Sequence, residues 1–373
     1  MSGARAERGQ AVGGGTPVPG GLLVLGDVVT DVVARHTLPL ASGTDTAAAI
    51  RTMPGGAGAN VACWAAYWGT EDVRFAGRVG ADAAQWHARR LDAAGVRAHL
   101  TVDEEAPTGT VVCLVNGGDA AERTFLTDSG AVLRLRPEDL SSGLFDGIAH
   151  LHVSGYLFFA ESSRAAAVAA IRTARARGAT VSVDPASAGF LARTGVDRFL
   201  DAVRGVDVLL PSHSEAELLS GTTELTAAAC RLSRTFPLVV AKNGALGALV
   251  CRAGDVVARV PATSVEAVDT TGAGDAFTGA FLAARLTGAT AEKAVIEGCR
   301  AGAVSVGRMG ARPPRDAPGA RAGEQWRPTG PAARRGGAGG GGGGGGVRGG
   351  GGVGGPGPPG CGARAVDPGR GRS

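Results

Sequence analysis

The sequence predicts an α/β fold in which helices cover both faces of a mostly parallel sheet. Short β-branched or Leu-rich runs alternate with Ala-rich segments that have helical periodicity, and this order is typical of strands joined by helical crossovers. The predicted strands span 22–25, 73–76, 147–153, 180–183, 206–210 and 238–241. The predicted helices span 62–68, 83–94, 163–177, 214–219, 226–234 and 276–286. Residues 32–53 and 100–126 break the alternation and favour extended structure.

The patterned region is long enough for one large domain, and both ends of the chain differ from it. It runs from residue 21 to 312 of the 373, and a domain of that size buries roughly three quarters of its unfolded surface. We expect residues 1–20 and 313–373 to be disordered, because they are rich in Gly and hold little apolar surface to bury. The C-terminal tail is either a flexible extension without function or a frameshift product of a GC-rich gene.

Charge and cysteine usage exclude several classes of protein. The formal net charge is +4, but residues 313–373 alone carry nine Arg against three acidic residues, so the patterned region has no basic excess that would indicate nucleic-acid binding. The six cysteines form no C-x-x-C pair, as expected of reduced thiols. No run of 18 apolar residues occurs. We therefore predict a cytoplasmic protein with neither a nucleic-acid nor a membrane partner.

The segment from Val268 to Phe281 is the most informative part of the chain. Gly272, Ala273 and Gly274 carry little or no side chain, so their amides can approach an anion at the start of the predicted helix. Asp275 follows directly, and a carboxylate beside a bound phosphate can take the proton of a hydroxyl. A structural role fits the same residues, with an aspartate as helix N-cap and the glycines as a tight turn.

This segment resembles the C-terminal signature of ribokinase-like (PfkB-type) carbohydrate kinases. The upstream run Gly55–Ala62 resembles the G-G-x-x-x-N-x-A signature of the same family, and residues 22–31 and 77–82 resemble two further motifs. The resemblance covers about residues 22–312. It implies a ribokinase-like three-layer sandwich with a mostly parallel sheet, in which segments 32–53 and 100–126 form a small β lid.

The resemblance also implies an activity, which is transfer of the γ-phosphoryl group of ATP to a hydroxyl of a sugar or related small molecule. Asp275 would be the general base, and the amides of residues 272–274 would stabilise charge on the transferred group. The positions that match the acceptor-binding residues of the family are Asp27, Asp31, Gly55, Gly56 and Asn60. Alternatively, Asp27 caps a turn and Asn60 caps a helix.

The nucleotide and cation sites follow from the same resemblance. The nucleotide loop T-x-G-x-x-G of the family is matched by Lys242, Gly244 and Gly247, with Lys242 where Thr is common. Two roles fit Lys242: it reaches phosphate, or it is an ordinary solvated residue at the end of a strand. Glu215 matches the N-x-x-E motif that organises Mg²⁺ through water, although Ser212 replaces the usual Asn. The positions that match a monovalent-cation (K⁺) site are Asp269, Thr271, Ser305, Arg308 and Gly310.

The sequence leaves the acceptor open. Ala57 stands where ribokinases have Lys, and residues 153–156 lack the Glu that they place there, so ribose is disfavoured. Fructose, 2-keto-3-deoxygluconate, adenosine and other nucleosides remain, with few Tyr and Trp available to stack on a base. The alternatives are a nucleoside kinase of the same family and a non-catalytic sugar or nucleotide sensor, which the departure at Ser212 keeps open. A homodimer formed through the lid is also expected.

Overall fold

The computed structural model describes residues 19–37, 39–116 and 123–314. The predictions of disorder for residues 1–18 and 315–373 lie outside the described residues. The strands of the described part are β1 Gly21–Leu25, β2 Val29–His36, β3 Ala48–Gly55, β4 Val73–Gly80, β5 Arg97–Asp103, β6 Thr108–Asn116, β7 Arg123–Gly130, β8 Ile148–Ser154, β9 Thr180–Asp184, β10 Val208–Leu209, β11 Leu238–Lys242, β12 Ala248–Arg252 and β13 Asp255–Val260. The α-helices are α1 Ala57–Tyr67, α2 Ala84–Asp92, α3 Glu161–Ala176, α4 Ala188–Thr194, α5 Val196–Ala202, α6 His213–Ser220, α7 Leu225–Leu232, α8 Ala273–Leu286 and α9 Ala291–Val306.

The larger sheet has nine strands in the order β13-β12-β11-β10-β9-β8-β1-β4-β5. All neighbours from β11 to β5 pair in parallel, and β12 and β13 extend one edge in antiparallel fashion. Successive side chains of a strand point to opposite faces. Leu23 and Val153 pack under α3, α6 and α7, whereas Leu22 and Val24 pack under α1, α8 and α9. Two apolar cores thus flank the sheet, and the predicted three-layer sandwich is confirmed.

The smaller sheet has four strands in the order β3-β2-β6-β7. β2 pairs in parallel with β6, while β3 and β7 run antiparallel to their neighbours. We call this sheet the lid. Its strands span 29–36, 48–55, 108–116 and 123–130, whereas the expected segments were 32–53 and 100–126. Residues 100–103 belong instead to β5, which pairs with β4 at the edge of the larger sheet.

Two helices begin three or more residues earlier than the sequence predicts. α1 starts at Ala57 rather than 62, because the carboxylate of Asp27 accepts hydrogen bonds from the amides of Ala57 and Gly58 at 2.7 and 3.0 Å and so replaces a local cap. The preceding Gly56 has a φ of 94°, and a Cβ there would lie 2.4 Å from the carbonyl oxygen of Asp27. α8 starts at Ala273 rather than 276.

Close packing between α1 and α8 positions the functional end of the molecule. A Cβ at Gly279 of α8 would lie 2.6 Å from the Cβ of Trp64 and 2.7 Å from the carbonyl oxygen of Val61. Glycine therefore lets the two helices approach each other, which places their first turns side by side. Of the helices in the described ranges, none is long and apolar enough to cross a membrane.

Candidate active site

A cavity of about 1050 Å³ lies between the lid and the carboxyl ends of the central parallel strands. This is where an open α/β sheet collects ligands. Most of the predicted site residues line it, namely Asp27, Asp31, Gly56, Asn60, Glu215, Lys242, Gly244, Asp269, Thr271, Gly272, Ala273, Gly274, Asp275 and Gly310. The predicted residues Gly55, Gly247, Ser305 and Arg308 are not among its lining residues.

Asp275 occupies the first turn of α8 and bonds to a side chain from α1. Its Oδ2 accepts a hydrogen bond from Nδ2 of Asn60 at 2.8 Å. Burial raises the pKa of Asp275 to about 7; the Asn60 bond and Lys242 oppose that rise, and the nearby Asp184 and Asp27 add to it. A carboxyl group with a pKa near neutrality can exchange a proton at physiological pH, as a general base must. Asn60 lies inside α1, so it is not the helix cap that the alternative interpretation proposed.

The start of α8 is built to receive an anion. Gly272 is the N-cap residue, with a left-handed φ of 74°, and a Cβ there would lie 2.4 Å from the Cβ of Ala311. The first intrahelical bond joins the amide of Ala276 to the carbonyl oxygen of Gly272 at 2.9 Å, so the amides of Gly274 and Asp275 point out of the helix, whereas the amide of Ala273 donates to the carbonyl oxygen of Thr270 at 3.4 Å. Asp275 is therefore not the N-cap of α8.

Asp269 has a structural role in the same loop. Its Oδ1 accepts from the amide of Thr271 at 2.8 Å, and its Oδ2 accepts from the amide of Gly310 at 3.0 Å. The carboxylate thus ties the loop of residues 269–272 to the segment that follows α9. Among the residues matching the monovalent-cation site, the buried Oγ of Ser305 and the buried Nε of Arg308 have no hydrogen-bond partner.

Two aspartates from the start of the chain line the cavity, Asp27 after β1 of the larger sheet and Asp31 on the lid strand β2. Both carboxylate oxygens of Asp27 accept hydrogen bonds: Oδ2 from the amide of Ala57, and Oδ1 from the amide of Gly58 and from Oγ of Ser154 at 2.7 Å. These contacts agree with the alternative in which Asp27 is a capping residue. Asp31 lies on β2, and burial raises its pKa to about 7; Arg312 opposes the rise, while Asp27 and Asp269 add to it. A Cβ at Gly55 would lie 2.3 Å from the Asp31 carboxylate, so a larger residue there would displace this carboxylate.

Lys242 lies on the opposite side of the cavity, at the end of β11, and forms an ion pair with Asp184 at the end of β9. Its side chain is only 14% exposed, so the alternative of a solvated strand-end lysine is wrong. Burial alone would lower the pKa of Lys242, but Asp184 and Glu215 outweigh it and raise that pKa, so the ammonium stays charged. A Cβ at Gly274 would lie 3.6 Å from Nζ of Lys242, so the ammonium lies beside the first turn of α8.

Glu215 lies in the first turn of α6. Its Oε2 accepts from the amide of Ser212 at 2.8 Å in a capping box. Burial raises the pKa of Glu215, and the proximity of Asp184 adds to the rise. His213 is half-exposed and bonds to Asn243 and Glu217, as expected of a surface residue.

Negative charge dominates the cavity. Its lining carboxyl groups belong to Asp27, Asp31, Asp184, Glu215, Glu217, Asp269 and Asp275, against the cations Arg35 and Lys242. A polyphosphate would need further cations to bind here. Asp184 and Glu215 supply the hard oxygen ligands that suit Mg²⁺, directly or through water. No group of three or more His, Cys, Asp or Glu side chains in the described ranges is arranged to hold a metal ion by itself.

Sequence reasoning missed three residues of this site. Asp184 and Ser154 end neighbouring parallel strands, where an open α/β sheet collects ligands, so their position at strand ends is a signal that could have found them. For Arg312 the sequence predicts only that the domain ends there. Its guanidinium lies against the start of α1, and no local sequence pattern signals a contact across 252 residues.

Comparison with known proteins settles the family. Residues 21–318 match the family described as pfkB family carbohydrate kinase. The chain belongs to this family. The predicted resemblance is confirmed, and the protein is a carbohydrate kinase. Curated relatives include a fructokinase of Klebsiella pneumoniae, 34% identical over 71% of this chain and 84% of that protein. Another is an ATP-dependent ribose-1-phosphate kinase of Halopiger xanaduensis, 34% identical over 78% of this chain and 93% of that protein.

Solved structures agree on the fold. A ribokinase from Thermotoga maritima superposes with a TM-score of 0.67 at 27% identity, covering 79% of this chain and 97% of that one. A putative ribokinase II from E. coli, in complex with ATP and Mg²⁺, gives a TM-score of 0.68 at 25% identity, covering 78% and 94%. Kinases of this family use ATP with Mg²⁺, as the sequence predicted.

Proposed function

We propose that the protein transfers the γ-phosphoryl group of ATP to a hydroxyl of a neutral sugar or related small molecule, with Asp275 as the general base. One observation carries the proposal. Asp275 sits in the first turn of α8 beside Gly272 and Gly274, and its pKa is raised to about 7 by burial. A group that accepts a proton and amides that receive an anion therefore meet at one point.

The acceptor side of the reaction is assigned to the end of the cavity next to the lid. Asp31 and Asn60 provide polar atoms for sugar hydroxyls, and Gly56 lies on the cavity wall beside them. Gly55 acts from behind this wall, because its missing Cβ leaves room for the Asp31 carboxylate. Asn60 occupies Oδ2 of Asp275. The remaining oxygen, Oδ1, then takes the proton of the reacting hydroxyl as that hydroxyl attacks phosphorus.

The phosphate side is assigned to the start of α8. The amides of residues 272–275 and the positive end of the helix dipole stabilise charge on the transferred group. Lys242 adds a fixed positive charge next to Gly274, and the loop with Gly244 and Gly247 receives the rest of the nucleotide. Mg²⁺, when bound with ATP, neutralises phosphate charge, and Glu215 and Asp184 are the residues that would hold its water shell.

Three finer features belong to the same proposal. We assign a monovalent cation such as K⁺ to the loop of Asp269, Thr271, Ser305, Arg308 and Gly310, where the unpartnered Oγ of Ser305 supplies an oxygen. We assign a homodimer to the lid, whose Ile50 and Leu126 are 65% and 56% exposed. We place the protein in the cytoplasm, because Cys63, Cys230, Cys251 and Cys299 take part in no disulfide bond.

A nucleoside acceptor is a second candidate, and the wall of the cavity favours it. Of the eleven lid residues that line the cavity, four are polar and seven are apolar, the latter being Val29, Val33, Met53, Val111, Cys113, Val115 and Phe125. A hexose has hydroxyls on every side and would leave some of them against this wall without partners, at a cost of about 1–3 kcal/mol for each unmet group. A nucleoside would place its sugar near Asp275 and its base against the lid.

The experiment that tests the proposed function is a panel of sugars and nucleosides assayed for acceptor-dependent ADP release with Mg²⁺. Phosphate ester formation is confirmed by ³¹P NMR. The proposal expects one class of acceptor to stimulate ADP release well above the rate of ATP hydrolysis without acceptor. Thermal stabilisation by ligands without any ADP release across the panel would contradict the kinase and favour the sensor.

A further inference from the structure

Arg312 connects the C-terminal end of the domain to the start of α1. Its Nε donates to Oδ1 of Asn60 at 3.1 Å. One terminal nitrogen donates to the carbonyl oxygen of Gly55 at 3.2 Å, and the other lies 3.4 Å from Sγ of Cys63. All three contacts belong to the segment that positions Asn60, and Asn60 is the hydrogen-bond donor to Asp275.

These contacts determine which way the amide of Asn60 faces. A guanidinium can only donate, so the group opposite Nε must be the amide oxygen. The amide nitrogen then faces Asp275, where it donates to Oδ2. In the flipped orientation, the NH₂ group would meet the guanidinium and the amide oxygen would meet the carboxylate, so both contacts would be repulsive. Without Arg312, only the contact with Asp275 would hold this orientation.

The backbone just before Arg312 is held by two hydrogen bonds. The indole nitrogen of Trp64 donates to the carbonyl oxygen of Ala311 at 2.8 Å. The amide of Gly310 donates to Asp269 at 3.0 Å, within the loop that leads to Asp275. Arg312 is therefore presented by an anchored segment, and its guanidinium loses little freedom on making three contacts at once.

We propose that Arg312 is a positioning residue for phosphoryl transfer: it fixes the amide of Asn60 as a donor to Asp275, which leaves Oδ1 of that carboxylate free for the acceptor hydroxyl. The proposal rests on the proposed function in that Asp275 is the base. It assigns Arg312 an effect on the chemical step, exerted through Asn60 rather than through contact with the reacting atoms.

A double-mutant cycle on kcat tests this assignment. The variants are Asn60→Ala, Arg312→Met and the double variant, assayed at saturating ATP and acceptor. Methionine keeps most of the apolar stem and removes the donors. We expect Arg312→Met to lower kcat roughly tenfold in the parent and to have almost no further effect in the Asn60→Ala background. Equal effects in the two backgrounds, or an unchanged kcat in Arg312→Met, would overturn the proposal.

A pH profile adds a readout that a purely structural role would not move. The hydrogen bond from Asn60 lowers the pKa of Asp275, so losing that bond should move the acid limb of kcat/KM to higher pH in Arg312→Met, as in Asn60→Ala. The charged groups that face Asp275 are Asp184, Asp27 and Lys242, and all three are retained in both variants. Because Arg312 also lowers the pKa of Asp31, the profile is recorded for Arg312→Lys as well, which keeps that positive charge and should show the same shift. An unshifted acid limb in Arg312→Met would count against the proposal.

Two controls separate this result from simpler explanations. Arg78→Met removes another largely buried arginine, which pairs with Asp103 and Asp139 away from the cavity, and should lower stability without changing kcat. Arg312→Lys keeps the charge but lacks the planar fork, so its kcat should fall as in Arg312→Met; should the methionine variant not fold, the lysine variant takes its place in the cycle. Full activity of Asp275→Asn would refute the proposed base itself, independently of any result at Arg312.

Discussion

Replacing Asp275 with Asn should stabilise the protein at alkaline pH while destroying its activity. The folded-state pKa of Asp275 is about 7, against an ordinary value of 3.8. Each pKa unit corresponds to about 1.4 kcal/mol, so keeping this carboxylate ionised in the fold costs at most about 4 kcal/mol. Solvent in the cavity reduces that figure, and we expect about 1–4 kcal/mol. Asn is close in size to Asp and can still accept the hydrogen bond from Asn60.

The direction of the pH dependence follows from the raised pKa of Asp275. Between about pH 4 and 7 the folded protein keeps a proton on Asp275 that the unfolded chain has released, so this group makes the free energy of unfolding fall as pH rises. The contribution is fully present below pH 4 and is lost above pH 7. Asp275→Asn and the parent should therefore be equally stable at pH 4, with the variant the more stable of the two at pH 8.

Urea denaturation of both proteins from pH 4 to 8.5 measures this difference directly. Asp31 makes a similar contribution to both proteins, so the difference curve isolates Asp275. Asp201→Asn serves as a control, since Asp201 is 70% exposed and pairs only with an exposed arginine, and its difference curve should be flat. A flat curve for Asp275→Asn, or a variant less stable than the parent at pH 8, would refute the claim that burial raises the pKa of this carboxyl.

Three further predictions concern other parts of the chain. Lys242→Met should raise the KM for ATP roughly tenfold, because it removes the cation beside Gly274 and leaves Asp184 without its ion pair; an unchanged KM in steady-state kinetics would remove Lys242 from the phosphate site. Ser212→Asn should lower the Mg²⁺ concentration needed for half-maximal rate while keeping the helix cap, and an unchanged Mg²⁺ titration would detach position 212 from the metal. Deletion of residues 315–373, which leaves Arg312 in place, should change neither melting temperature nor turnover; a clear fall in either would show that the domain extends beyond residue 314.

Most of the parallel strands and long helices were predictable from sequence because they depend on local periodicity, whereas the edge strands β12 and β13 and the short helices α4 and α5 were not predicted. Asn60 and Asp275 were each singled out by a motif, and the two motifs lie 215 residues apart, but the 2.8 Å hydrogen bond between the two side chains is visible only in the structure. The start of α1 was not predictable from local signals, because its cap is the side chain of Asp27, thirty residues upstream. The buried position of Lys242 could not be predicted from its own segment, because a lysine at a strand end is buried only when the fold supplies a carboxylate, here that of Asp184. Arg312 belongs to the same class, as its partners come from the far end of the chain.

The most direct test of the central claim is the turnover of Asp275→Asn with the best acceptor from the panel. The amide keeps the size of the side chain but cannot take a proton, so kcat should fall by roughly 10²–10⁴-fold while the KM for acceptor and ATP changes little. The variant should also remain folded, as the denaturation curves establish independently. A folded Asp275→Asn protein that turns over at near the parental rate would contradict the assignment of Asp275 as the general base.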